Sequence, residues 1–196
     1  MEDYNKLALK AVDLQKKNKP QEAKKIYIDL LKIDKNSQIL RLIGLIEFDE
    51  KNYEKSLKFF NESLQINPNN SECYSNRGIV NFRLKNIDAA ISDYKKAILI
   101  DKNNYNAYFN LGNLYKKIGR LEESVENFSK AILINKNHYI AYHNRAVVKE
   151  LLLKFDEAIE DFDEALKINP KYSNSIFFKA ITQLKIGDYA NGWKNY

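Results

Sequence analysis

One cysteine, Cys73, in 196 residues leaves no partner for a disulfide within the chain and fits a reducing compartment. Three prolines and six glycines are too few for many tight turns or long loops, which favours helices. No apolar run approaches the roughly 18–20 residues that a membrane-spanning helix needs. The opening MEDYNKLALK has no basic stretch followed by an apolar one, so no signal peptide is read there. These absences point to a cytoplasmic chain that does not enter a membrane. The only histidines, His138 and His143, have no cysteine or carboxylate cluster at metal-binding spacing. No phosphate-cradling glycine loop occurs, and Cys73 has no histidine partner at motif distance. The acidic pairs Glu122–Glu123 and Asp156–Glu157 begin helices, where they complement the helix dipole. No catalytic constellation, metal site or cofactor is expected, and the chain reads as a non-enzyme.

What is present is charge and apolar content in ordinary globular proportion: 44% hydrophobic and 30% charged, which excludes disorder. The net charge of +6 comes from 32 basic and 26 acidic residues. The lysines are scattered among acids as pairs such as Lys24–Lys25 and Lys95–Lys96, with no dense basic run. A solvated helical surface accounts for them, and nucleic acid is not an expected partner.

The dominant feature is self-similarity. Tyr-x-Asn recurs with Asn76, Asn110 and Asn144, spaced 34 and 34 apart. A small residue stands at Ala11, Gly44, Gly78, Gly112, Ala146 and Ala180, spaced 33 and then 34 four times. Twelve positions later a second set follows: Ala23, Ser56, Ala90, Ser124, Ala158 and Gly192. Four beyond that is always an aromatic: Tyr27, Phe60, Tyr94, Phe128, Phe162 and Tyr196. Two helices of a hairpin approach closely only where side chains are small, so each small pair marks a crossing. The aromatic, one turn on, fills the space beside it and packs on the next repeat. Asn52, Asn86, Gly119 and Gly187 fall where the first helix of a hairpin should stop. Between repeats lie NPNN (67–70), DKNN (101–104), NKNH (135–138) and NPKY (169–172), polar breaks with capping chemistry.

The period of 34, the Gly/Ala at the eighth position and the Ala-x₃-Phe/Tyr resemble the tetratricopeptide repeat over the whole chain. Departures exist: the consensus leucine before the glycine is Arg77 and Arg145, and the consensus tyrosine three residues after it survives only as Tyr115. The resemblance implies an all-α, right-handed superhelical solenoid of about six helix-turn-helix repeats. It divides the single array 1–196 near 4–36, 37–70, 71–104, 105–138, 139–172 and a partial 173–196. In this family the first helix of each pair lines a concave groove. A capping helix would be expected after the sixth repeat, so the chain reads as a piece of a longer protein.

Mapped on that frame, Asn76, Asn110 and Asn144 share one groove position. Near them fall Asn113, Phe109 and His143, then Arg83, Lys116 and Lys117. His143 is expected on a first helix facing the groove and His138 in an inter-repeat loop, both with ordinary surface roles. The asparagine series resembles the ladder of O-linked N-acetylglucosamine transferases, where amides hold the backbone of an extended peptide. The amides can equally bond to adjacent helices or water, and Leu42 and Phe178 interrupt the ladder at its ends. The carboxylate-clamp pattern of chaperone-binding repeats does not fit, because only the middle asparagine matches. The implied function is a scaffold whose partner is a protein or peptide held in the groove. The alternative is a substrate-presenting arm of a glycosyltransferase, suggested by GDYANGWKNY (187–196), in which Gly192 and Trp193 could equally be crossing and packing residues. Self-association through exposed Tyr189, Trp193 and Tyr196 is a further expectation.

Overall fold

The computed structural model describes residues 2–195. Among them are twelve α-helices and no strand, as the repeat demands. They pair as hairpins: α1 Glu2–Lys16 with α2 Pro20–Ile33, α3 Ser37–Asp49 with α4 Tyr53–Ile66, and α5 Ser71–Arg83 with α6 Ile87–Ile100. The others are α7 Tyr105–Lys117 with α8 Leu121–Ile134, α9 Tyr139–Leu151 with α10 Phe155–Ile168, and α11 Ser173–Lys185 with α12 Tyr189–Asn195. The chain separates into two compact units, Met1–Ile100 and Asp101–Tyr196. Tyr196, the sixth aromatic of the series, lies outside the described residues.

Each unit is built on the small-and-aromatic pattern. In the first, Ser56 Oγ donates 2.7 Å to the Gly44 carbonyl across the α3–α4 crossing. In the second, Ser124 Oγ donates 2.8 Å to the Gly112 carbonyl. The two small residues therefore touch. The aromatic lies against the glycine of its own hairpin: a Cβ on Gly78 would come 2.7 Å from the Tyr94 ring, a distance that excludes alanine there without movement. Tyr27, Phe60, Tyr94, Phe128 and Phe162 are among the largest fully buried side chains. Phe60 also meets the next hairpin, clustering with Cys73 and Val80. Burying such side chains contributes roughly 1.5–3 kcal/mol each, so these rings are the main apolar anchors of the hairpins.

Three of the four polar breaks cap the helix that follows; the fourth does not, since Tyr172 before α11 makes no side-chain capping bond. Asn70 Oδ1 accepts from the Cys73 N–H at 2.9 Å, Asn104 Oδ1 from Ala107 at 3.0 Å, and His138 Nδ1 from Ala141 at 3.1 Å. The turn inside the hairpins meets expectation at Gly119 and Gly187 and differs from it at the two asparagines. The left-handed residue is Asn18, Lys51, Lys85, Gly119, Leu153 or Gly187, with φ between 58° and 83°. Asn52 and Asn86 are therefore one residue past it and not the stop signals themselves. Lysine and leucine occupy this position because the C-terminal helix geometry requires φ > 0 there whatever the side chain.

The two arginines that depart from the consensus form ion pairs inside their own hairpins. Arg77 grips Asp93 bidentately, Nε to Oδ2 at 3.0 Å and Nη2 to Oδ1 at 2.6 Å, while its Nη1 reaches Asn61 on the preceding hairpin at 2.8 Å. Arg145 grips Asp161 at 2.8 and 2.6 Å and reaches Ser129 at 2.9 Å. Tyr74 and Tyr142 stand under the guanidinium groups, 5.2 and 5.6 Å from ring centre to Cζ. The arginine thus ties two consecutive hairpins together in each unit.

Candidate functional site

Most of the residues expected to line a binding face lie in the second unit, where α9 touches both α7 and α11. Here the first helices of three hairpins stand side by side. Asn110, Asn113 and Asn144 are all partly exposed on them. Asn144 Nδ2 donates 2.9 Å to Asn113 Oδ1, joining α9 to α7. Of the two uses open to these amides, Asn144 takes the inter-helix one. Asn110 has no hydrogen-bond partner among the described residues, so its amide keeps its full donor and acceptor capacity. Asn76 and Arg83 sit on α5 of the first unit: Asn76 is partly buried and likewise unbonded, and Arg83 is exposed.

Aromatic rings occur on the same first helices. Phe109 packs 4.7 Å from the His138 ring and 5.7 Å from Phe128. Phe177 on α11 is exposed and meets Phe178 edge-on at 5.8 Å. His138 lies in the inter-repeat loop as expected, but half-buried as the cap of α9, and burial lowers its pKa.

His143 is a correction. It was expected on the surface facing a groove, yet it is only 6% exposed. Its Nδ1 lies 3.0 Å from the buried Ser175 hydroxyl, and Phe162, Tyr172 and Phe178 surround the ring. The helical position that turns Phe109 and Phe177 toward their neighbours turns His143 into the α9–α11 seam. Burial, with a smaller contribution from the Lys116 charge, lowers its pKa to about 4, so it is neutral at pH 7. His143 therefore holds two hairpins together and is not available to a ligand.

Lys116 and Lys117 end α7, and they differ. Lys117 is exposed, whereas Lys116 is partly buried and burial lowers its pKa. On α9, Glu150 is drawn the other way, pairing with Lys185 of α11. At the C-terminal hairpin, Gly192 is the crossing residue: a Cβ there would meet Leu184 at 2.5 Å. Tyr189 and Trp193 are exposed.

Sequence reasoning missed the arginine–aspartate pairs and the Asn113–Asn144 bond. The first had a visible signal, since Arg77/Asp93 and Arg145/Asp161 repeat the same offset of sixteen. Among the described residues, no group of three or more His, Cys, Asp or Glu could hold a metal ion, and no helix is long and apolar enough to cross a membrane.

Tetratricopeptide repeat models match residues 37–70, 105–138 and 139–172, and a related repeat model matches 82–119. Together they cover more than half of the chain. Comparison with curated proteins finds no match. Solved structures do match. PilF of Pseudomonas aeruginosa superposes with a TM-score of 0.88 at 14% identity, over 99% of this chain and 89% of that one. MamA reaches 0.73 at 25% identity over 82% and 95%. YrrB, a TPR protein with an unusual peptide-binding site, reaches 0.70 at 21% identity over 86% and 88%.

Proposed function

We infer that this chain, which belongs to the tetratricopeptide repeat family, is a protein-interaction scaffold that holds an extended peptide or a partner helix against its first helices. The observation that carries this reading is the state of the amides. Asn110 is partly exposed and unbonded on the same helix as Asn113, whose amide is paired with Asn144, and Phe109 is its chain neighbour. Amides with spare donors and acceptors suit a peptide backbone, whose N–H and C=O groups they satisfy without reading side chains. Adjacent aromatics suit the apolar side chains of such a ligand. The peptide-binding site of YrrB, a protein of similar fold, agrees with this use. A buried, unpaired Cys73 fits a cytoplasmic setting.

The alternative, a substrate-presenting arm of a glycosyltransferase, rests on the sequence of 187–196 alone. The groove reading is tested by selecting binders from a peptide library on the intact chain, then titrating the selected peptides calorimetrically into Asn110→Ala. Replacement should weaken binding by about 0.5–1.5 kcal/mol, the net value of one neutral hydrogen bond. The loss should be alike for peptides of different sequence. Unchanged affinity across all selected peptides would remove the amide from recognition.

A further inference from the structure

Two furrows between successive second helices are filled in the same way. Between α4 and α6, Tyr74 packs on the cluster that holds Phe60 and Leu64, and Arg77 lies over its ring while bonding Asn61 on one side and Asp93 on the other. Between α8 and α10, Tyr142 and Arg145 repeat this arrangement with Ser129 and Asp161. The furrow between α2 and α4 has none of these groups. Counted from the crossing residues, Leu40 stands for Tyr74 and Ile43 for Arg77, while Ile28 and Phe59 stand for Asn61 and Asp93.

The smaller side chain leaves space. A cleft of about 440 Å³ opens there, with Leu40 of α3 at its floor and Leu31 of α2 on one wall. Glu62, Gln65 and Ile66 of α4 form the other wall, and Lys35 of the connecting segment lies at its edge. The walls show what is missing. Leu64, in the cluster on which Tyr74 packs, is 6% exposed, and Ile132 at the same repeat position is 7% exposed. Leu31, their counterpart, is left partly exposed, and Ile66 is exposed. The cleft also carries one charge of each sign. The side chains of Lys35 and Glu62 have no ion pair or hydrogen bond among the described residues.

We propose that this cleft is a second docking site, separate from the first-helix face, which takes one tyrosine side chain presented by a partner protein. The chain's own furrows supply the template for the ring, since Tyr74 and Tyr142 stand where Leu40 leaves the space. The two charges complement the hydroxyl: a phenol can donate to the Glu62 carboxylate and accept from the Lys35 ammonium. A phenylalanine or leucine would suit the walls but would take both charges partly out of water with nothing in return, which is costly.

The test is methyl-resolved NMR of the isotopically labelled intact chain, titrated with the capped tripeptide Gly-Tyr-Gly and its Phe and Ala counterparts. The Tyr peptide should shift the methyl signals of Leu31, Leu40 and Ile66 saturably. It should bind about tenfold tighter than the Phe peptide, the size of one charge-assisted bond, and the Ala peptide should leave those methyls unmoved. Leu40→Tyr should fill the cleft and abolish the shifts while keeping the helical circular dichroism. Ile66→Asp, at an exposed wall position, should weaken the Tyr peptide too, and reads the site even if Leu40→Tyr does not fold. Equal binding of the Tyr and Phe peptides by the parent would overturn the site, as would shifts at Leu31 and Ile66 that survive in folded Leu40→Tyr. Absence of any saturable shift at the three methyls would overturn it as well. If p-cresol moves these methyls and the Tyr peptide does not, the cleft belongs to a free phenol and the partner protein is overturned. None of these outcomes bears on the groove reading, whose residues lie on the first helices.

Discussion

Replacing Asp161 by Asn removes half of a buried ion pair, and the structure sets how much that should cost. Breaking a buried pair by deleting one partner typically costs about 3–5 kcal/mol, because a charge is left unpaired. Here Arg145 is 17% exposed in its side chain, keeps its bond to Ser129 and keeps the Tyr142 ring beneath it. Those contacts soften the loss, so Asp161→Asn should cost nearer 2–3 kcal/mol. Arg145→Leu should cost less, about 1–2 kcal/mol, since Asp161 retains Lys149 at 3.0 Å. The double variant recreates the Leu111 and Asn127 that occupy the same two positions one repeat earlier. It should return to within about 1 kcal/mol of the parent, because neither charge of the Arg145–Asp161 pair is left without the other and Lys149 keeps Glu157 at 3.3 Å. Equilibrium urea unfolding followed by circular dichroism, fitted with a model of coupled repeats, gives all four values. A double variant as unstable as the sum of the singles would refute the reasoning, as would an Asp161→Asn change below roughly 0.5 kcal/mol.

Three further outcomes follow from the same structure. Ala90, fully buried at its crossing, should tolerate no larger side chain: Ala90→Leu should cost about 1–3 kcal/mol in the same unfolding assay. His143 has a folded pKa near 4 against about 6.5 unfolded, so the unfolded chain binds the extra proton between these values. Its share of stability is therefore present above pH 6.5 and lost as pH falls toward 4, by roughly 3 kcal/mol in all. His143→Gln should flatten that part of the stability–pH curve relative to the parent, and parallel curves would contradict the burial. Leu153 holds φ 59° with its side chain exposed, at the position where Gly119 and Gly187 stand. Leu153→Gly should raise stability by about 0.5–1 kcal/mol, and a loss in thermal unfolding would show that the strain is absent.

The hairpins were legible because their cause is written in side-chain size. Gly44, Gly78 and Gly112 must be small since an aromatic ring presses on them, and those rings recur at one offset. The helix caps were legible for the same kind of reason, as Asn70 and Asn104 carry the chemistry that a helix start needs. The left-handed turn residues were not, because Lys51, Lys85 and Leu153 are placed by backbone geometry and carry no turn signal of their own. The candidate site was half legible. Counting along a helix puts Asn110, Asn144 and His143 near one face, but a turn of a few tens of degrees separates a surface ring from a buried one. Whether His143 meets solvent or Ser175 depends on the neighbouring helix, which one repeat's sequence does not describe. The same holds for Asn144, whose partner Asn113 is thirty-one residues away.

The central claim is that the first helices form the recognition face. Amide-resolved NMR of the isotopically labelled chain, titrated with a peptide selected from a library, tests it most directly. The account predicts that shifts concentrate on α7, α9 and α11, with the Asn110, Asn113 and Asn144 side-chain amides among the most affected and the outer residues of α8 and α10 unmoved. Shifts concentrated on α8 and α10, with those three amides unchanged, would contradict it.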